Sequence, residues 1–276
     1  LDFSAAQAIL YCPSDGYLQP YDLTMAYVKK SRELGVRFKT SRAATGLTIS
    51  NNRVTGVQTA EGTIACETVI NAAGAHAYHV ARWAGIELPI VPVRHEFLIT
   101  VHCEGMDPSA PVVRIPDGSI YVRPEVGGLL LGGWEPDSLS TDPRKYTSAQ
   151  EPPRLEADYD ALAFFVEQMR PQFAPIEQLG IRSVFKGWPT FTPDGRFIVG
   201  PTQQVEGFVM AGGCNAHGVS GSAGIGRHVV ESMREVEPSA YVRSLSPDRF
   251  NEQSWDWEST AAAARRIYET YYGMGD

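Results

Sequence analysis

The sequence predicts a mixed α/β fold, in which an α/β unit carrying an inserted antiparallel meander is joined to a second unit built on an antiparallel sheet. Three observations predict it. The β-branched run Val69-Ile70-Asn71 feeds through Ala72-Ala73-Gly74 straight into a helical pattern. Short strand-like runs separated by the turn signals Asn51-Asn52 and Glu61-Gly62 stand just before it. Beyond residue 88 the helical period gives way to strand-like runs punctuated by Pro89, Pro92, Pro108, Pro111 and Pro116.

Taken in order, Leu23, Tyr27, Ser31 and Leu34 recur at helical spacing after Pro20, and Gly35 stands where a helix ends. Val36 to Lys39 alternates as a strand does. Thr45 to Ser50, Val54 to Ala60 and Thr63 to Cys66 form the meander, and Ala75 to Ala84 the helix after the apolar strand. The second unit takes its strands from Val91 to Val101, Val112 to Ile115, Ser119 to Val122 and Leu129 to Gly132. Glu135 to Pro153 is polar and without period, the pattern of a mobile loop or lid. Leu155, Tyr159, Leu162, Val166 and Met169 mark one helical face ended by Pro171. From Ile181 the chain returns to the first unit, with strands at Phe197 to Val199 and Phe208 to Met210. A glycine turn and a helix through Val219, Ala223, Val230 and Met233 follow. Trp257, Ala261, Ala264, Tyr268 and Tyr271 form a last helical stripe. The units are therefore 1–88 with 181–236, then 89–180, then a helical tail 237–276.

Composition narrows the function classes. With 43% hydrophobic and 20% charged residues the chain is globular, neither disordered nor fibrous. A net charge of −8 without a basic stripe argues against nucleic acid as a partner. The apolar runs are too short to cross a bilayer, so no membrane partner is expected. Cys12, Cys66, Cys103 and Cys214 form no CxxC pair, which predicts reduced thiols in a cytoplasmic protein. The six histidines show no metal-ligand spacing, so no metal is expected.

Two places hold residues suited to chemistry. Gly212-Gly213-Cys214-Asn215-Ala216-His217-Gly218 joins a strand to a helix. Such a turn brings backbone N–H groups and the positive helix end to an anionic or electron-rich ligand edge; it equally serves tight helix packing. No GxGxxG follows a strand, and Gly221 to Gly226 lies inside the last helix of that unit. In the second unit, Tyr121 and Arg123 share one strand face and His95 lies on a neighbouring run. Together they could bind a carboxylate and position an amine, or simply face water.

The order of these motifs resembles the FAD-dependent D-amino-acid-oxidase-like superfamily, nearest its dimethylglycine and sarcosine dehydrogenase branch. The resemblance rests on Asp15-Gly16 with Pro20, Val54 to Val57, Val69 to Gly74, Val91 to His95 and Asp117 to Glu125. Gly132-Gly133 with Glu135 to Asp137, Gly187 to Gly195, Gly200-Pro201 and Gly213 to Gly218 complete it, over residues 10 to 272. It implies the remnant of a Rossmann-like FAD-binding domain plus an antiparallel-sheet substrate domain. The family's first βαβ unit, whose glycine loop holds the FAD pyrophosphate, is expected to be absent from this chain. By itself the chain should then bind free FAD poorly or not at all. A missing N-terminal half and a C-terminal folate-binding domain are the implied partners. The implied reaction oxidises the C–N bond of an N-methylated or secondary amino acid; a glycine, sarcosine or D-amino-acid oxidase, and a non-catalytic fragment needing a partner, are the alternatives. His95 and Tyr121 are implied as catalytic and Arg123 as a carboxylate clamp. Ala216, His217, Gly218 and Val219 would meet the flavin O2 edge, Ala73 and Gly74 pass close to the cofactor, and Ala44 reach the adenine. His76, Phe197, Cys214 and Ala216 depart from the branch's usual Trp, Pro, aromatic residue and Gly.

Overall fold

A computed structural model describes residues 1–251 and 255–273; the remainder of the expected tail, 252–254 and 274–276, lies outside the described residues. Helix α1 (Pro20–Glu33) begins with proline at a position whose N–H has no partner to lose, and Gly35 closes it at φ +89°. No residue of α1 is buried. Val36 to Lys39, expected as a strand, is unpaired, and Val36 and Phe38 are exposed. Alternation there meets no neighbouring strand among the described residues.

The meander forms as expected, with β1 (Ala44–Ser50), β2 (Arg53–Thr59) and β3 (Gly62–Ala65) antiparallel in that order. Asn51 and Asn52 take φ of 49° and 60°, the backbone of a two-residue hairpin turn that asparagine tolerates. Strand β4 (Val69–Asn71) then runs through a short 3-10 turn into α2 (Ala77–Trp83).

The run Val91 to Val101 is broken in two. Strand β5 (Val91–Pro92) ends before Val93 and Arg94, and β6 (His95–Thr100) enters a different sheet. It is followed by β7 (Val113–Ile115), β8 (Ile120–Glu125), β9 (Gly128–Gly133) and α3 (Tyr159–Met169). Asp158 caps α3 by accepting from the N–H groups of Asp160 and Ala161. Next come β10 (Ile181–Gly187), β11 (Thr190–Phe191), β12 (Ile198–Pro201), β13 (Phe208–Gly212), α4 (Ser222–Arg234), α5 (Ala240–Ser244) and α6 (Trp257–Glu269).

The large sheet is antiparallel in the order β10-β6-β9-β8-β7. Residues 181–187 therefore belong to it and not to the first unit. Lys186 pairs with Glu96 and Gly187 with His95, which carries the sheet beyond the expected boundary at 180. Helix α3 covers one face, packing Leu162, Phe165 and Met169 on Leu98, Ile120 and Leu131. A smaller sheet, β12-β13-β4, pairs β13 with β4 in parallel and β12 with β13 antiparallel. Ile86, Leu88 and Ile90 fill the space between that sheet and α2. Helix α6 packs Ala261, Ala264 and Tyr268 onto Val91, Val93 and Phe191, where β5 pairs β11.

The segment after Glu135 is irregular, as expected, yet it is anchored and not a free lid. Ser138 and Pro143 are buried, and the His79 imidazole contacts the carbonyls of Pro143 and Tyr146 at 2.7 and 2.9 Å. All four cysteines are free thiols. Among the described residues no helix is long and apolar enough to cross a membrane, and no three His, Cys, Asp or Glu side chains cluster as a metal site.

Candidate active site

An open cleft of about 1010 Å³ lies where the sheets, α1, the glycine turn and the end of α6 meet. Tyr17, Leu23 and Tyr27 form one wall, and Ala216, Val219 and Ser222 face it from the glycine turn. The sheet contributes His95 from β6, Tyr121 from β8 and Arg114 from β7. Tyr271 and Tyr272 close the end beside Trp134.

Strand register brings the polar groups together. Tyr121 pairs with Gly132 on β9, and a Cβ at Gly132 would lie 2.5 Å from the Tyr121 hydroxyl. A side chain there would displace the phenol, so glycine is what lets Tyr121 lie across the strand. His95 Nε2 then sits 2.9 Å from the Tyr121 hydroxyl, and His95 Nδ1 sits 3.1 Å from the hydroxyl of Tyr268. Tyr268 donates to Glu135, whose other oxygen accepts from Arg94 at 3.0 Å; Arg94 also pairs with Asp158. Arg94 and Glu135 are both buried, so each needs the other's charge. Burial lowers the His95 pKa from 6.5 to about 4, leaving a neutral imidazole near pH 7. Burial likewise pushes the Tyr121 and Tyr268 phenols up, so both keep their protons.

An aromatic stack continues from the imidazole. His95 stacks on Trp134 at 4.7 Å, Trp134 on Tyr271 at 3.7 Å and Tyr271 on His217 at 5.0 Å between ring centres. The Tyr271 hydroxyl lies 3.0 Å from His217 Nε2, and His217 Nδ1 lies 2.8 Å from the Asn215 carbonyl.

The glycine turn separates into two parts. Gly213 is required by packing, since it holds φ +59° and a Cβ would meet the Thr192 methyl at 2.6 Å. Gly218 has no such need: a Cβ would find only Cys214 at 3.9 Å. The N–H groups of Gly218, Val219 and Ser220 find no acceptor among the described residues. Asn215 and Ala216, at φ of 45° and 60°, bend the backbone ahead of them. The turn thus presents donors next to the cleft, the arrangement that suits an electron-rich ligand edge.

The sequence-expected residues divide accordingly. His95, Tyr121, Ala216 and Val219 line the cleft; His217 and Gly218 stand between the last two in the turn and are not among its lining residues. Arg123 does not line it. Its guanidinium pairs with Glu125 at 2.5 Å and lies 4.4 Å from the Tyr17 ring centre, so a partner on its own strand takes the charge meant for a ligand. Arg114 is the guanidinium at the cleft, opposite Tyr121 in register and over the Tyr272 ring at 5.9 Å. Ala73 and Gly74 are exposed at the end of β4, and Ala44 is exposed at the start of β1; none of the three lines the cleft. The sequence does not mark Trp134, Glu135, Tyr268 and Tyr271 as site residues. The helical stripe ending in Tyr268 and Tyr271 is the available signal, but nothing local aims it at His95.

The chain is similar to known proteins in sequence and in fold. The family model described as FAD dependent oxidoreductase matches residues 2–232. The mitochondrial dimethylglycine dehydrogenase of Rattus norvegicus is 28% identical over 98% of this chain and 32% of its own length. The 4-methylaminobutanoate oxidase (formaldehyde-forming) of Paenarthrobacter nicotinovorans is 27% identical over 98% of this chain and 33% of its own length. The chain thus spans about a third of the curated relatives it matches. Among solved structures, L-proline dehydrogenase from P. horikoshii superposes with a TM-score of 0.71 at 24% identity, over 84% of this chain and 60% of that one.

Proposed function

The chain belongs to the FAD dependent oxidoreductase family, and from that premise we propose that it forms the substrate wall and the flavin-ring edge of an enzyme oxidising the C–N bond of an N-methylated or secondary amino acid. The observation that carries this reading is the His95–Tyr121 pair set in an aromatic cleft across from the unpartnered N–H groups of residues 218–220.

The residues fit the ring end of a flavin. An isoalloxazine is flat and largely apolar with a polar pyrimidine edge. The cleft offers Trp134, Tyr271 and Tyr272 beside the free donors of Val219 and Ser220. Those donors would hold the pyrimidine edge. When bound, the flavin supplies the acceptor for the hydride equivalent that leaves the carbon next to nitrogen. The chain's own groups handle the rest of the substrate. Tyr121, protonated and engaged by His95, offers its remaining lone pair to an amine N–H. His95, neutral at pH 7, can take a proton passed through Tyr121 as the amine is readied for oxidation. Arg114 pairs with the carboxylate in place of Arg123. The antiparallel sheet, now 89–187, is the substrate side, and the β12-β13-β4 unit with the meander is the cofactor side. The longer relatives, the open edge of β4 and the uncovered α1 support a further strand-and-helix unit that carries the phosphate-binding turn.

Amide-resolved NMR of the chain with excess lumiflavin and then N,N-dimethylglycine tests the reading. Lumiflavin should move the signals of Gly218 to Ser220, and the amine should move Tyr121 and Arg114. Perturbations confined to other surfaces would sink it.

A further inference from the structure

Hydrogen-bond direction in the buried network reaches further than the pair that faces the cleft. An ionised carboxylate only accepts, and two donors converge on Glu135: Arg94 Nη2 at 3.0 Å on Oε1 and the Tyr268 hydroxyl on Oε2. With its hydrogen committed to Glu135, the Tyr268 oxygen can only accept from His95 Nδ1, 3.1 Å away. The ring hydrogen of the neutral imidazole is then on Nδ1. Nε2 is left with a lone pair 2.9 Å from the Tyr121 hydroxyl, which must donate to it. Every link runs the same way, from the cleft to the buried ion pair.

We propose that Tyr268 and Glu135 are positioning residues: they hold His95 as its Nδ1–H tautomer, which commits the Tyr121 hydrogen inward and leaves the Tyr121 oxygen as a pure acceptor for a ligand N–H. The last clause rests on the reading of the cleft as an amine site; the tautomer does not, because the network is complete without a ligand. The C-terminal helix is on this account part of the site, through Tyr268, although that side chain is fully buried.

Nitrogen NMR on the full chain with labelled histidine reads the tautomer directly, the His95 signals being identified by their loss in His95→Gln. The wild-type chain should show Nδ1 protonated and Nε2 free. Glu135→Gln is the decisive variant because it keeps shape. Arg94 still requires an oxygen, so the amide NH2 must face Tyr268; the phenol then turns to His95, and the ring switches to Nε2–H. Tyr268→Phe removes the Nδ1 acceptor and should shift the tautomer ratio roughly tenfold toward Nε2–H, the scale of one lost hydrogen bond. An Nε2–H ring in the wild type, or an unchanged tautomer in Glu135→Gln, overturns the proposal. The wild-type spectrum decides even where a variant does not fold. Were the amine reading wrong instead, the tautomers would follow this pattern while N,N-dimethylglycine left Tyr121 undisturbed.

Discussion

His95 is an imidazole whose protonation is set by its surroundings more than by the solution. Its pKa falls from 6.5 to about 4 because burial disfavours the cation. The unfolded chain therefore binds a proton there that the folded chain refuses. Stability from this group is full above pH ~6.5 and is lost as pH falls toward ~4. The urea midpoint should decline across that window, and His95→Gln should flatten the part of the decline that His95 causes. A midpoint whose pH dependence is identical in the two proteins would contradict the burial argument. The sequence made His95 and Tyr121 legible, through strand alternation and the family resemblance. Tyr268 was not legible as their partner, since it stands 173 positions from His95 and only tertiary packing joins them. Arg123 shows the opposite limit: alternation places it on the Tyr121 face, but alternation cannot show that Glu125, two residues on, pairs with it.

Among the elements, β9 is the one on which the cleft wall depends. It lies between β6 and β8, so it holds His95 and Tyr121 in register while its apolar residues meet α3. Leu131 is fully buried there. Leu131→Ala should cost about 2–5 kcal/mol by removing apolar contact and leaving a cavity, read as a lowered urea midpoint at unchanged slope. A loss below ~1 kcal/mol would mean that the sheet and α3 relax into the gap. The element types were readable because their periods are clear: the meander, the α3 stripe ended by Pro171, and α6. What stayed hidden was which sheet a strand joins. Ile181 to Gly187 reads alike as a strand of either unit, and only pairing with β6 assigns it. Val36 to Lys39 has a strand's alternation and no partner, which shows that pattern without pairing does not make a strand.

For the molecule as a whole, the proposed function gives the chain contacts to one end of a flavin. The cleft supplies aromatic surface and the donors of the glycine turn, and no strand in the sequence leads into a Gly-X-Gly-X-X-Gly turn that would cradle a pyrophosphate. Riboflavin and FAD should accordingly bind this chain with dissociation constants within about threefold of each other, since ~0.6 kcal/mol or less would separate them. Fluorescence titration compares the two, and a preference for FAD of a hundredfold or more would show that the chain grips the phosphates after all. The path between the sheets bears on how such a ligand gets in. Two neighbouring segments cross from one sheet to the other side by side, β5 to β6 and β10 to β11. They are sewn together where the Val93 N–H meets the Pro189 carbonyl at 2.9 Å, and Arg94 is clamped by Glu135 and Asp158 at the same level. A doubled, ionically locked seam resists shear and leaves no single joint about which the walls could swing. The gap between the sheets is therefore a fixed gauge, with Tyr271 held at its end by its stack on Trp134 and its contact with His217.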